Sequence, residues 1–239
     1  MKPYFLITLL CFSTQIFAQN GFYLQPSFGA GISNSNYTDA LYYGSKENIF
    51  TYCFNANVAY HFRHWQFTTG IAYLKTGYKV TGDDIAGASI TGFNSQFPTI
   101  GNYEVFYSHL LLPFKAGYSL NLGKKMSIIP YAGLEASYNL NRLYKITSPA
   151  QAAATRTDDM KYFNIYYNAV SVFGIAGGNL SYKLRPGLSL LCGIEAQYML
   201  TSLVKKKYGN GDSYLDHAIT FNTGISVALS KKAPVKKAN

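Results

Sequence analysis

The stretch Tyr107–Leu122, YSHLLLPFKAGYSLNL, constrains the fold of this chain more than any other feature. In an extended backbone Leu110, Leu112, Phe114, Ala116, Tyr118, Leu120 and Leu122 share one side. His109, Lys115, Gly117, Ser119 and Asn121 share the other. Successive side chains of a strand point to opposite faces, so this period of two predicts one long strand with an oily and a polar face. Pro113 lies within it. A proline removes a ladder donor, so the expectation there is a bulge or local distortion.

Seven more segments carry the same alternation, for eight in all. They are 22–33, 51–62, 65–78, 127–140, 163–184, 188–200 and 218–229. Alternation alone leaves open whether the oily face points in, as in a soluble lipocalin-like barrel, or out, as in a membrane barrel. Three observations favour the membrane. The polar faces are rich in Gly, Ser, Asn and Thr, which suit a crowded lumen better than a solvated exterior. Tight turns at Arg63, Gly123 and Arg185 alternate with long links near 34–49, 80–102, 145–162 and 204–214, the asymmetry of outer-membrane barrels. Rings gather at strand ends, with Tyr60, Phe62, Trp65 and Phe67 at one and Tyr52, Tyr73, Tyr103 and Phe106 at the other. Aromatic girdles at both interfaces have this form.

Composition agrees. Charged residues make up 13% of the 239, against about 25% in soluble domains. Lys2, the apolar run Tyr4–Phe12 and the small Ala18 read as a secretory signal peptide over residues 1–18. The run is shorter than the roughly 20 residues of a spanning helix. A lipoprotein reading of Cys11 fails because bulky Leu10 precedes it. The expected organisation is therefore a signal peptide (1–18), a barrel (19–230) and a basic periplasmic tail (231–239). The fold class is all-β: an up-and-down antiparallel transmembrane β-barrel of eight strands with short periplasmic turns and long external loops. Cys53 and Cys192 fall on opposite faces and are expected to be unpaired.

The segments HLLLPFKAGYSL, IIPYAGLEASYNL and FGIAGGNLSYKL resemble strands of the PorT-like outer-membrane barrel proteins of Bacteroidota, where a Leu/Ile-Pro-x-x-Lys segment recurs. The resemblance covers the mature chain and implies an eight-stranded barrel in the outer membrane. It also implies an accessory role in protein secretion. Such barrels often end on an aromatic residue; this one closes on Leu229, with the tail beyond it.

An eight-stranded interior is just wide enough for side chains to fill. The lumen-facing polar set is His109, Lys115, Glu135, Lys183, Glu195 and Gln197, with Glu135 the expected counter-charge to Lys115. The expected role of this set is a salt-bridged plug, with a gated pore or proton-linked site as the sharper readings. No GxSxG motif or Ser/His/acid pattern occurs, and no His or Cys spacing suits a metal. The expectation is a non-enzymatic protein without cofactor or metal, structural or interacting through its external loops, with a secretion accessory, a narrow passive pore and, last, a lipid A-modifying enzyme as the alternatives. GNGDSYLD at Gly209 reads as a turn-rich loop. The formal charge of +10 does not indicate nucleic acid in an exported barrel. Arg142, Lys145, Lys205, Lys206 and Lys207 instead suggest contacts with lipopolysaccharide phosphates. The expected partners are the outer-membrane bilayer, lipopolysaccharide, and envelope or secretion proteins.

Overall fold

The computed structural model describes residues 21–37, 45–81, 102–148, 151–157, 168–202 and 214–229. The described elements are all strands: β1 (Phe22–Tyr37), β2 (Ser45–Glu47), β3 (Ile49–Phe62), β4 (Trp65–Thr81), β5 (Asn102–Tyr118), β6 (Leu120–Asn121), β7 (Met126–Ser148), β8 (Gln151–Thr157), β9 (Val170–Arg185), β10 (Leu188–Met199) and β11 (Tyr214–Ala228). Eight of them form a wall in the order β1, β3, β4, β5, β7, β9, β10, β11, each antiparallel to the next. Pairing of β1 with β11 closes the ring. The chain is an up-and-down eight-stranded barrel, and closure leaves its wall without an edge. Short β2, β6 and β8 add to single wall strands at the rims.

The tight turns and both described termini share one end. Phe62 and Trp65 pair directly across Arg63 and His64, and Leu229 N donates to Phe22 O at 2.8 Å. Gly187 turns β9 into β10 at φ 79°, a conformation that glycine adopts without steric penalty.

The wall is inside-out relative to a soluble protein. Leu24, Phe28, Ile71, Phe114, Leu134, Ile194 and Phe221 are exposed on its outer face, while Gln25, Asn57, Thr68, Glu135, Glu195 and Asn222 are buried inside. Soluble monomers rarely expose apolar patches above a few hundred Å², and an apolar belt encircling a barrel is the lipid-facing surface of a membrane-spanning one. Rings mark both margins. At the turn end Trp65 meets Tyr118 edge-on at 5.3 Å, and Phe22 lies 5.2 Å from Tyr60. At the other end Lys75 Nζ sits 4.3 Å from the Phe106 ring centre and 5.7 Å from that of Tyr52.

Of the two forms expected at Pro113, the local distortion is present and the bulge is not. Pro113 pairs with Glu135 in unbroken register, and toward β4 the ladder only skips from Thr69–Phe114 to Ala72–Leu111. Pro26 leaves a like gap toward β11, between Leu24–Val227 and Ser27–Gly224. The missing donor thus opens the ladder locally without shifting it. The bulge lies elsewhere: Ser108 faces Asn141 while His109 faces Asn139, so Leu140 is the extra residue. One inserted residue inverts the phase of the strand beyond it. Arg142, expected outside, is consequently buried, its guanidinium carbon 5.3 Å from the Tyr107 ring centre. The link expected from Lys145 also begins later, because β7 runs to Ser148 and pairs with β8. The boundaries at 1–18 and 231–239, and the start of the sixth segment at Phe163, lie outside the described residues.

Candidate functional site in the lumen

The interior is organised in tiers along the barrel axis. Nearest the turns is an open vestibule of about 320 Å³. Above it Gln66 Nε2 donates to Gln25 Oε1 (3.4 Å) and Thr68 Oγ1 (3.1 Å), and Gln25 Nε2 donates to Ser226 Oγ (3.2 Å). This belt underlies a polar cavity of about 40 Å³, bounded on its far side by Lys115, Tyr131 and Glu195. At roughly 10–15 Å³ each, a few water molecules fit there.

Lys115, Glu135 and Glu195 form the centre of the lumen. Lys115 Nζ donates to Glu195 Oε2 and lies 3.7 Å from Glu135 Oε1. The Tyr131 hydroxyl donates to Glu195 Oε2 at 2.9 Å. Gln197 Nε2 donates to Glu135 Oε2 at 3.0 Å and to Glu195 Oε1 at 3.2 Å. The expected Lys115–Glu135 pair is present, but the closer counter-charge is Glu195, from β10. The register explains why. Gly177 on β9 lies between Tyr131 on β7 and Glu195 on β10, paired to both. A Cβ there would meet the Tyr131 hydroxyl at 2.6 Å. The missing side chain lets phenol and carboxylate meet over β9.

Toward the other end an apolar cluster enters the lumen beside its polar groups, which narrows the expectation of a polar lumen. Leu74, Tyr78, Val80, Val105, Tyr107, Leu111, Phe173 and Met199 pack into one buried cluster together with Cys53 and Ala72. Cys192 is half-buried, and both cysteines are free.

A second polar group is set among these apolar side chains. His109 Nδ1 is 2.6 Å from Asn139 Oδ1 and 3.2 Å from Ser137 Oγ. Its Nε2 is 3.0 Å from Thr76 Oγ1 and 3.5 Å from Asp216 Oδ2. Thr76 donates to Asp216 Oδ2 at 2.8 Å, and Ser35 donates to Oδ1. Ser137, His109 and Asp216 thus lie in a hydroxyl–imidazole–carboxylate sequence, but the hydrogen-bond directions oppose nucleophilic use. Asn139 Nδ2 donates to Asn168 O at 2.7 Å, so Oδ1 faces the imidazole and Nδ1 must carry a proton to satisfy it. Nδ1 then has no lone pair to accept the Ser137 proton, as base activation requires. All three side chains are also almost fully buried.

The structure brings His109, Lys115, Glu135, Glu195 and Gln197 inward, though as two groups rather than one. Lys183 joins neither and stands exposed on the vestibule wall. Of the residues suggested for lipopolysaccharide, Arg142 faces inward, Lys145 lies exposed 3.6 Å from Glu104, and Lys205, Lys206 and Lys207 lie outside the described residues. Near the same rim, a hydrogen bond from Thr81 (2.5 Å) and Lys79 at 3.0 Å hold the Glu47 carboxyl below its ordinary range. Asp216 was missed in the sequence. It ends the turn-rich stretch GNGDSYLD, yet counting back by twos from Asn222 and Thr220 through Ala218 places it inside.

No protein-family model and no curated protein sequence matches the chain. Solved structures of outer-membrane proteins are similar to it at low identity. Neisserial surface protein A is 14% identical, with 86% of this chain and 96% of that one covered and a TM-score of 0.41. The outer membrane protease OmpT of Escherichia coli is 9% identical, covering 89% and 98%, with a TM-score of 0.43. The outer membrane protein OprG of Pseudomonas aeruginosa is 11% identical, covering 90% and 98%, with a TM-score of 0.39. At these scores the fold is read from the chain's own strand pairing.

Proposed function

We propose that this is an outer-membrane barrel with a blocked lumen, exported by residues 1–18, that acts without enzymatic chemistry as a structural or interaction protein. One observation carries the reading. The Lys115–Glu135–Glu195 cluster and the apolar cluster around Phe173 occupy successive levels of the lumen. Opening a conduit means moving both, and separating a buried ion pair alone costs about 3–5 kcal/mol. A barrel that does not conduct, and whose described lumen groups are buried, presents its rims to partners. The outer membrane is favoured because spanning barrels with alternating turns and long links are the architecture of that membrane.

The test is planar-bilayer recording of purified, refolded protein. The expected trace is flat at voltages that leave the bilayer intact. Discrete, reproducible conductance steps from the unmodified protein overturn the reading.

A further inference from the structure

The vestibule at the turn end has a charge imbalance that the plug does not explain. Lys124, Lys125 and Lys183 line it. Among the described residues no Asp or Glu lies at this end: Glu47 and Glu104 lie at the far rim, and Glu135, Glu195 and Asp216 inside the lumen. None of the three lysines takes part in a described ion pair. Two of them are forced together. Lys183 N donates to Lys125 O at 2.8 Å, which sets these residues side by side on β9 and at the entry to β7. Like charges directly opposite each other across strands are destabilising, and here no described carboxylate offsets them. His61 adds to the same wall a ring nitrogen, Nε2, without a hydrogen-bond partner.

We propose that this vestibule is a binding site for a compact, soluble polyphosphorylated anion. At about 320 Å³ it falls within the roughly 300–1,000 Å³ of small-molecule sites. Serine hydroxyls from Ser127, Ser181 and Ser189 give the ammonium groups a hydrogen-bonding wall suited to oxyanions, and lysine binds phosphate as a point charge. Polar side chains dominate the lining and leave an acyl chain little apolar surface beyond Met126, Ile129 and Leu191, so the ligand comes from solution and not from a lipid headgroup. A separate cation stands on the outside of the rim, where the Arg63 guanidinium lies 5.4 Å from the centre of the lipid-facing Phe62 ring. Charge of one sign around a concave mouth concentrates ions of the other.

The experiment titrates inorganic tripolyphosphate into the full chain in phosphatidylcholine nanodiscs, followed by calorimetry. Saturable one-to-one binding is expected, weakened by added salt. The triple substitution K124Q/K125Q/K183Q is expected to weaken it about tenfold or more. Ser189→Asp, which places an anion on the wall, should weaken it independently. Arg63→Gln and Lys145→Gln should leave it unchanged. Absence of saturable binding, binding that survives the triple substitution, or binding lost equally with Arg63→Gln overturns the proposal. None of these outcomes bears on whether the lumen conducts.

Discussion

Replacing Lys115 with alanine is expected to destabilise the barrel by about 3–5 kcal/mol, more than any other single lumen substitution. The lysine holds the only positive charge described between Glu135 and Glu195, and all three side chains are close to fully buried. Removing it leaves two carboxylates facing each other in a confined space, with Gln197 and the Tyr131 hydroxyl as their remaining donors. The loss belongs to the orphaned charges more than to the missing contact, so neutralising the acids should recover much of it. In a double-mutant cycle Lys115→Met with Glu195→Gln should cost less than the sum of the two single changes, because each single change breaks a pair that the double removes whole. Urea unfolding in lipid vesicles, followed by fluorescence and gel mobility, measures this. A Lys115→Ala loss below about 1 kcal/mol, the value of an exposed pair, would show the cluster to be solvated and the plug to be loose.

The second large effect lies on the other side of the wall. Leu134→Arg is expected to cost about 2–4 kcal/mol in vesicles, because the substituted side chain enters hydrocarbon near the middle of the span. Leu134 is exposed and shares its rung with Phe114 and Gly174. The same change at Leu122, beside the turn, should cost about 1 kcal/mol or less, since depth sets the penalty. Equal costs at the two positions would contradict a depth-graded lipid contact.

The alternation in YSHLLLPFKAGYSLNL was enough to place residues 110–122, because period two survives wherever a strand keeps its phase. It failed at Arg142 for the converse reason. The bulge at Leu140 has no compositional marker in SYNLNRLY, and a single extra residue inverts the facing of every later position in the strand. At Pro113 the distortion was legible but not its form: a missing donor is visible in sequence, and a ladder gap absorbs it as well as a bulge does. The choice of Glu195 over Glu135 as the nearer partner of Lys115 depended on register between strands distant in sequence, and on Gly177 leaving the space between them. His109 was legible as inward-facing, but its partner Asp216 was hidden in a stretch whose Gly, Asn and Ser read as loop.

The oily faces of the strands touch lipid, and the opposite faces fill a closed lumen. Depth-dependent quenching tests that division. Single tryptophans are placed in a Trp65→Phe background, one position at a time, in vesicles containing brominated acyl chains. Tryptophan at Leu112, Leu134, Ile194 or Phe221 is predicted to be strongly quenched, and at Leu111 or Leu191 hardly at all. Equal quenching at neighbouring Leu111 and Leu112, or none at Leu134 and Ile194, would contradict the assignment of the two faces.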